Sequence, residues 1–189
     1  MTPWYPIETD RLLLRDFRLE DEGHIYDYAS DPEVVRFADW GPSDLSTVRS
    51  NLHRRLEDQE RWPRDSIEVA VELRSNSYLI GIMRITVLDH TNRTADFGYT
   101  FNRRYWAKGY ATEGTRALLH LAFSNLSLHR VWATCDVRNI ASFRVMEKLG
   151  MRREGLFKRA RACWWISLPT GRPASTLEPG KRRYKKATT

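Results

Sequence analysis

The sequence predicts a single α/β domain built on one mixed sheet. Three observations carry that prediction. Alternating segments rich in Val, Ile, Thr, Tyr and Phe crowd residues 66–102. Apolar residues at helical spacing flank them on both sides. Helix-capping residues stand at the boundaries between the two patterns. Strands and helices interspersed along 189 residues suit one sheet with helices packed against it.

The elements follow in order. Residues 7–17, IETDRLLLRDF, read as a strand, and 19–29 as a short helix. Asp31-Pro32 opens another helical turn, with Asp31 as cap and Pro32 at the first helical position. Residues 44–60 place Leu45, Val48, Leu52 and Leu56 on one helical face. Ser66–Leu73 and Tyr78–Leu88 form a hairpin around RSNS, and 93–102 supplies a third strand. A helix over 111–125 stacks Ala111, Thr115, Leu118 and Ala122, and HRVWATCDV at 129–137 alternates as a strand. Asn139 caps a helix over 140–149, and Gly150 sits where a left-handed C-terminal cap belongs. Short strands follow at 151–158 and 161–168.

Composition narrows the function. Apolar residues make up 41% and charged residues 29%, as in soluble globular proteins. MTPWYPIETD does not read as a signal peptide. No apolar run approaches the roughly 20 residues of a membrane helix. Two cysteines, Cys135 and Cys163, are too few for a disulfide framework and point to a reducing cytoplasm. The net charge of +7 is concentrated at the end, where residues 169–189 carry six cations against Glu178. That segment, rich in Pro, Gly, Ser, Thr and Lys, reads as a disordered basic tail beyond a domain at 5–168. A solvated tail is the plainer reading than an arm that binds RNA or the ribosome.

The segment RRYWAKGYATEG, residues 103–114, joins a strand to a helix. Helix N-termini expose free N–H groups and the positive end of the helix dipole, so they attract anions. Gly109 allows close approach, and Arg103, Arg104 and Lys108 add charge. A phosphate group is the natural guest. The sequence lacks Gly-Lys-Ser/Thr and Gly-x-Gly, which speaks against nucleotide hydrolases and dinucleotide binders. It also lacks HExxH, CxxC and Gly-x-Ser-x-Gly, leaving no signature for a metal site or a serine hydrolase.

YWAKGYATE, followed by N-x-x-S-x-x-x-x-E-K-L-G-M-R-x-E-G, resembles the GNAT superfamily of acetyl-CoA-dependent N-acetyltransferases. With IETDRLLLRDFRLED and SDPEVVRF at the start, the ordered set is similar to the RimJ and RimL branch and covers roughly residues 5–160. The resemblance implies acetyl-CoA as cosubstrate, no metal, and a splayed central strand pair holding the thioester. Its pyrophosphate window falls on Trp106, Ala107, Lys108, Gly109, Tyr110 and Ala111, flanked by Arg104 and Thr112. Gly109 and Ala111 match the pattern. Ala107 stands where that branch usually has Gly, a substitution that is costly if φ is positive. Phe97, Gly98, Tyr99, Thr100 and Phe101 are expected to lend backbone groups to the pantetheine arm. Asn139 matches a pantetheine-contacting Asn and is also a plain N-cap.

The implied chemistry is direct attack by an amine, the acceptor being a protein N-terminus or a small molecule. Asp96 is the expected general base. Thr94, Asp96, Gly98 and Thr100 share the polar face of their strand, while Ala95, Phe97, Tyr99 and Phe101 share the apolar one. Ser142 matches a serine that acts as general acid or donates a hydrogen bond to the departing sulfur. It can equally bond its own helix backbone. Phe37 and Trp40 are expected to line the acceptor site. The family's closing hairpin is expected to be short or missing after Gly155, which weakens any transfer of acceptor identity. A non-catalytic acyl-CoA-binding module is the alternative, and monomer and homodimer both stay open.

Overall fold

The computed structural model describes residues 6–61, 63–156 and 163–167, so the basic tail lies outside the described residues. The chain runs β1 (Ile7–Glu8), β2 (Leu12–Arg15), α1 (Glu22–Ala29), α2 (Pro32–Val35), α3 (Leu45–Gln59), β3 (Ser66–Leu73), β4 (Leu79–Asp89) and β5 (Thr94–Phe101). It continues with α4 (Tyr110–Ser124), β6 (Arg130–Asp136), α5 (Ile140–Lys148), β7 (Arg152–Leu156) and β8 (Cys163–Ser167). All eight strands join one sheet in the order β1-β2-β3-β4-β5-β6-β8-β7. Only β5 and β6 pair in parallel; the other neighbours are antiparallel. This is the predicted mixed sheet.

Alternation along the strands sorts the side chains into two layers. On one face, Val69, Val71, Met83, Ile85, Ala95 and Phe97 pack with Leu118, Leu119 and Ala122 of α4 and Met146 of α5. On the other, Ala70 and Leu79 pack with Ile25 and Tyr28 of α1 and Val48 and Leu52 of α3. Leu45, expected on the buried stripe of α3, is exposed at the first turn. Among the described residues no helix is long and apolar enough to cross a membrane.

The predicted caps form as read. Asp31 Oδ1 accepts from the Glu33 N–H at 3.0 Å. Asp44, which the sequence reading did not mark as a cap, serves α3 in the same way, its Oδ1 accepting from the Thr47 N–H at 2.7 Å. Gly150 closes α5 at φ +74, a left-handed backbone that glycine takes without strain.

One expectation needs correction. Residues 7–17 are not one strand. The chain reverses at Thr9–Arg11, so that Ile7 faces Leu14 and Glu8 faces Leu13. The Thr9 N–H donates to the Leu12 carbonyl, and the Thr9 hydroxyl accepts from the Leu12 N–H, both at 2.9 Å. The closing hairpin, expected to be short or missing, is present and short, its two strands lying within the segments read at 151–158 and 161–168. β7 and β8 pair antiparallel from Arg152↔Ser167 to Leu156↔Trp164, with a register shift between Arg153 and Gly155. Backbone pairing does not require the family's turn residues.

A buried ion cluster ties β2 to its neighbours. The Arg15 guanidinium donates to Asp21 Oδ1 and Oδ2 at 2.7 and 2.8 Å, and to Glu72 of β3. Burial opposes its charge, but the bonds to Asp21 and Glu72 outweigh it and push the arginine's proton affinity above the ordinary value.

Candidate active site

The parallel ladder between β5 and β6 is short. It pairs Thr94 with Arg130, Ala95 with Val131 and Asp96 with Trp132, and then stops. Beyond that point β5 stays registered with β4 as far as Phe101↔Gly81, and β6 stays registered with β8. The two central strands therefore diverge into a V with Asp96 and Trp132 at its apex. The β5 edge from Phe97 to Phe101 faces the opening without a strand partner among the described residues, a row of backbone donors and acceptors available to an extended ligand.

The loop after β5 bends by two left-handed residues within three positions, Ala107 at φ +57 and Gly109 at φ +84. Gly109 is the N-cap of α4 and has no side chain to occupy the free N–H groups of the first turn. The N–H groups of Tyr110, Ala111 and Thr112 are left without the side-chain acceptor that usually covers a helix start. For alanine the left-handed backbone costs about 1–2 kcal/mol.

The cations predicted for this loop divide. Arg103 is engaged with Asp31 at 2.9 Å, while Arg104 is exposed and Lys108 Nζ sits 5.2 Å from the centre of the Tyr105 ring. Trp106, at the first position of the window, turns its donor inward. Its only side-chain N–H goes to the Phe101 carbonyl at 2.7 Å, so the indole pins the loop to the end of β5 and offers no donor to a ligand. The same bond occupies the Phe101 carbonyl, removing it from the backbone groups expected to face the coenzyme.

Two residues of this site were missed in the sequence. Glu113 lies in the first turn of α4, where a carboxylate would repel a bound phosphate. Arg11 cancels it. Its Nε donates to Glu113 Oε2 at 2.7 Å and its backbone N–H to Oε1 at 2.9 Å, while the Thr9 hydroxyl donates to Oε1 at 2.6 Å. Arg11 Nη1 also donates to the Lys108 carbonyl at 3.0 Å, and the guanidinium lies 4.4 Å from the centre of the Tyr110 ring. The turn between β1 and β2 thus clamps the loop. The signal in the sequence was the conflict itself, an acid at the start of a helix meant for an anion.

Asp96 occupies the apex. Its Oδ2 accepts from Arg84 Nη2 at 2.8 Å, and its Oδ1 is buried without a hydrogen-bond partner among the described residues. Asp96 and Arg84 lie on the α1–α3 side of the sheet. On the α4–α5 side stands Tyr99, whose hydroxyl is also buried and unpartnered among the described residues. Burial is the larger influence on this phenol and pushes it up to about 12, Ser142 pulls the other way, and Cys135 adds to the rise. Ser142 therefore stands beside Tyr99 on this side of the sheet. An orphaned buried hydroxyl costs about 1–3 kcal/mol. Asn139 Oδ1 accepts from the Ser142 N–H at 3.1 Å, so its capping role is realised. The Ser142 hydroxyl makes no hydrogen bond to its own helix among the described residues. Cys135 is buried in the core, on the same strand parity as Val131 and Ala133.

Of the two aromatic residues expected at the acceptor site, Phe37 lies under the Arg138 guanidinium at 5.6 Å, with Arg138 held by Asp136 at the end of β6. This brings the loop after α2 to the open end of the V. Trp40 is exposed on the same loop.

The arrangement is that of a known family. The model of the acetyltransferase (GNAT) domain matches residues 11–152, and the chain belongs to that family. It is an acetyl-CoA-dependent acetyltransferase. Among similar proteins, the uncharacterized N-acetyltransferase YnaD of Bacillus subtilis is 36% identical over 163 residues, covering 84% of this chain and 91% of its own. The solved structure of a GNAT-family acetyltransferase from Bacillus anthracis superposes with a TM-score of 0.76 at 30% identity, covering 86% of this chain and 97% of that one. The spermidine N(1)-acetyltransferase of Escherichia coli is a more distant relative, 22% identical over 142 residues, covering 75% of this chain and 73% of its own.

The residues present fit the coenzyme. An uncapped helix N-terminus with Lys108 and Arg104 beside it suits a pyrophosphate, and the open β5 edge suits an amide-bearing arm.

Proposed function

We propose that the chain acetylates a primary amine by direct attack, with the amine approaching from the α1–α3 side of the sheet and the coenzyme bound on the α4–α5 side. The observation that carries this is the end of the β5–β6 ladder immediately after Asp96 and Trp132, beside an uncapped helix N-terminus. Bound acetyl-CoA supplies an activated acyl carbon. Gly109, Tyr110, Ala111 and Thr112 hold its phosphates through backbone N–H groups, and Phe97–Thr100 orient it through the strand edge. Asp96 takes a proton from the amine through Oδ1, directly or across one water, while Arg84 fixes the other oxygen. Ser142 donates a hydrogen bond to the departing sulfur, and Asn139 lines the pantetheine side while capping α5. Phe37 and Trp40 form part of the acceptor wall.

The finer assignment is to the RimJ and RimL branch, with a protein N-terminal amine as acceptor. Support comes from the ordered motifs IETDRLLLRDF, YWAKGYATE and N-x-x-S in this chain. A relative named for spermidine makes the polyamine the natural competitor in the assay.

Calorimetric titration of acetyl-CoA, with ATP as control, tests the coenzyme site first. Saturable binding of acetyl-CoA alone is the expected result. Thiol release is then followed with a peptide bearing a free N-terminus, the same peptide N-terminally blocked, and spermidine. Release with the free peptide only supports the branch assignment, and release with spermidine only replaces it. Binding without release from any amine would favour the non-catalytic module.

A further inference from the structure

We propose that Tyr99 positions Ser142 by donating a hydrogen bond to the Ser142 hydroxyl once the gap between β5 and β6 is filled, turning the serine's own proton toward the coenzyme sulfur. The inference rests on the coenzyme placement proposed above and assigns a part to a side chain that strand parity marked only as core.

Placement carries the argument. Tyr99 lies on β5, three residues past the last pair of the ladder, about 10 Å along the diverging edge. Ser142 lies in the first turn of α5, on the element that follows β6. The two residues therefore come from opposite walls of the V, and Ser142 acts on the Tyr99 phenol from across the gap. Neither hydroxyl is committed to another group among the described residues. The Tyr99 hydroxyl is buried without a hydrogen-bond partner among the described residues. Ser142 has its N–H satisfied by Asn139 and leaves its hydroxyl unspent on its own helix. A phenylalanine would fill the same space without stranding a polar atom, so the hydroxyl costs stability that packing alone does not require.

Tyr99 orients and does not supply the proton. A phenol pushed up to about 12 is a far weaker acid than a thiol near 8.5, so full transfer to the departing sulfur runs uphill. The balance is closed without it. Ser142 keeps its proton and shares it with the sulfur as the carbon–sulfur bond breaks and the electron pair moves to sulfur. The amine gains the acyl carbon and releases its proton on the Asp96 side of the sheet. Solvent protonates the thiolate on release.

The test uses the complex of the full chain with coenzyme A, which needs no acceptor. The ionisation of the bound coenzyme thiol is followed by thiolate absorbance against pH. The difference from the desulfo-coenzyme A complex cancels Cys135, Cys163 and the tyrosines. Tyr99→Phe should raise the ionisation midpoint by about one pH unit, tenfold in the equilibrium, while leaving thermal stability equal or higher. Ser142→Ala should raise it at least as far. The double variant should raise it no further than Ser142→Ala, because one residue acts through the other. A midpoint unmoved by Tyr99→Phe, or moved by the sum of both effects in the double variant, overturns the inference. Failure of coenzyme A to bind in calorimetry is a separate result: it removes the coenzyme placement itself, and this inference with it.

Discussion

Replacing Ala107 by glycine tests the loop geometry through stability alone. Ala107 sits at φ +57, where its methyl group is crowded against the backbone and costs about 1–2 kcal/mol. Glycine removes that cost. It also gives the unfolded chain more freedom, which offsets about 0.4–1 kcal/mol. The difference is a net stabilisation of roughly 0.5–1 kcal/mol for Ala107→Gly. In a chain of this size that raises the melting temperature by about 1–4 °C. Ala107→Val should go the other way, because a β-branched residue suffers more in the left-handed region. Urea unfolding of the three proteins at one pH gives the ordering directly. If Ala107→Gly is destabilising by about 1 kcal/mol, the usual cost of glycine at an ordinary position, the backbone there is not left-handed and the reasoning fails.

Asp96→Asn should lower turnover by about a hundredfold or more, read by thiol release; unchanged turnover removes Asp96 as the base. Arg11→Met leaves Glu113 unneutralised at the start of α4, so calorimetry should show acetyl-CoA affinity falling by about tenfold, and Glu113→Gln in the same chain should restore part of it. Arg15→Met strands Asp21 and Glu72 in the interior and should cost about 3–5 kcal/mol in urea unfolding. Tyr78 and Tyr99 both hold their protons to about 12 in the folded state, Tyr78 through burial and then its bond to Asp27. Their folded values lie above the ordinary 10 or so, so their contribution is complete below that pH and is lost as pH climbs toward 12. Unfolding midpoints and phenolate absorbance measured together between about pH 9 and 12 should fall and rise in step.

Periodicity made most of the fold legible. The stripe of Val48, Leu52 and Leu56, the alternation through β3, β4 and β5, and the caps at Asp31, Asn139 and Gly150 all express local rules that the chain obeys. The reversal at Thr9–Arg11 was hidden because its partners are remote. A run of apolar residues interrupted by Thr-Asp-Arg reads as one strand until Glu113, some hundred residues later, is known to anchor it. The site was legible where backbone dictates it, at Gly109 and the start of α4. Side-chain pairings were not. Nothing local tells that Trp106 spends its N–H on Phe101, that Arg84 occupies one oxygen of Asp96, or that the Tyr99 hydroxyl is buried against Ser142.

The three-residue ladder at the centre of the sheet has a consequence for cooperativity. So short a seam contributes few hydrogen bonds, and β6, β8 and β7 depend on α4 and α5 for their attachment to the remaining strands. Such a unit can open on its own, at a lower free energy than global unfolding. A ligand lodged between the walls closes the seam, and at a hundred times its dissociation constant it adds about 2.7 kcal/mol to the closed form. Amide exchange in β6 should then slow by about a hundredfold, so that the survival of this half of the protein against proteases follows the local supply of the ligand.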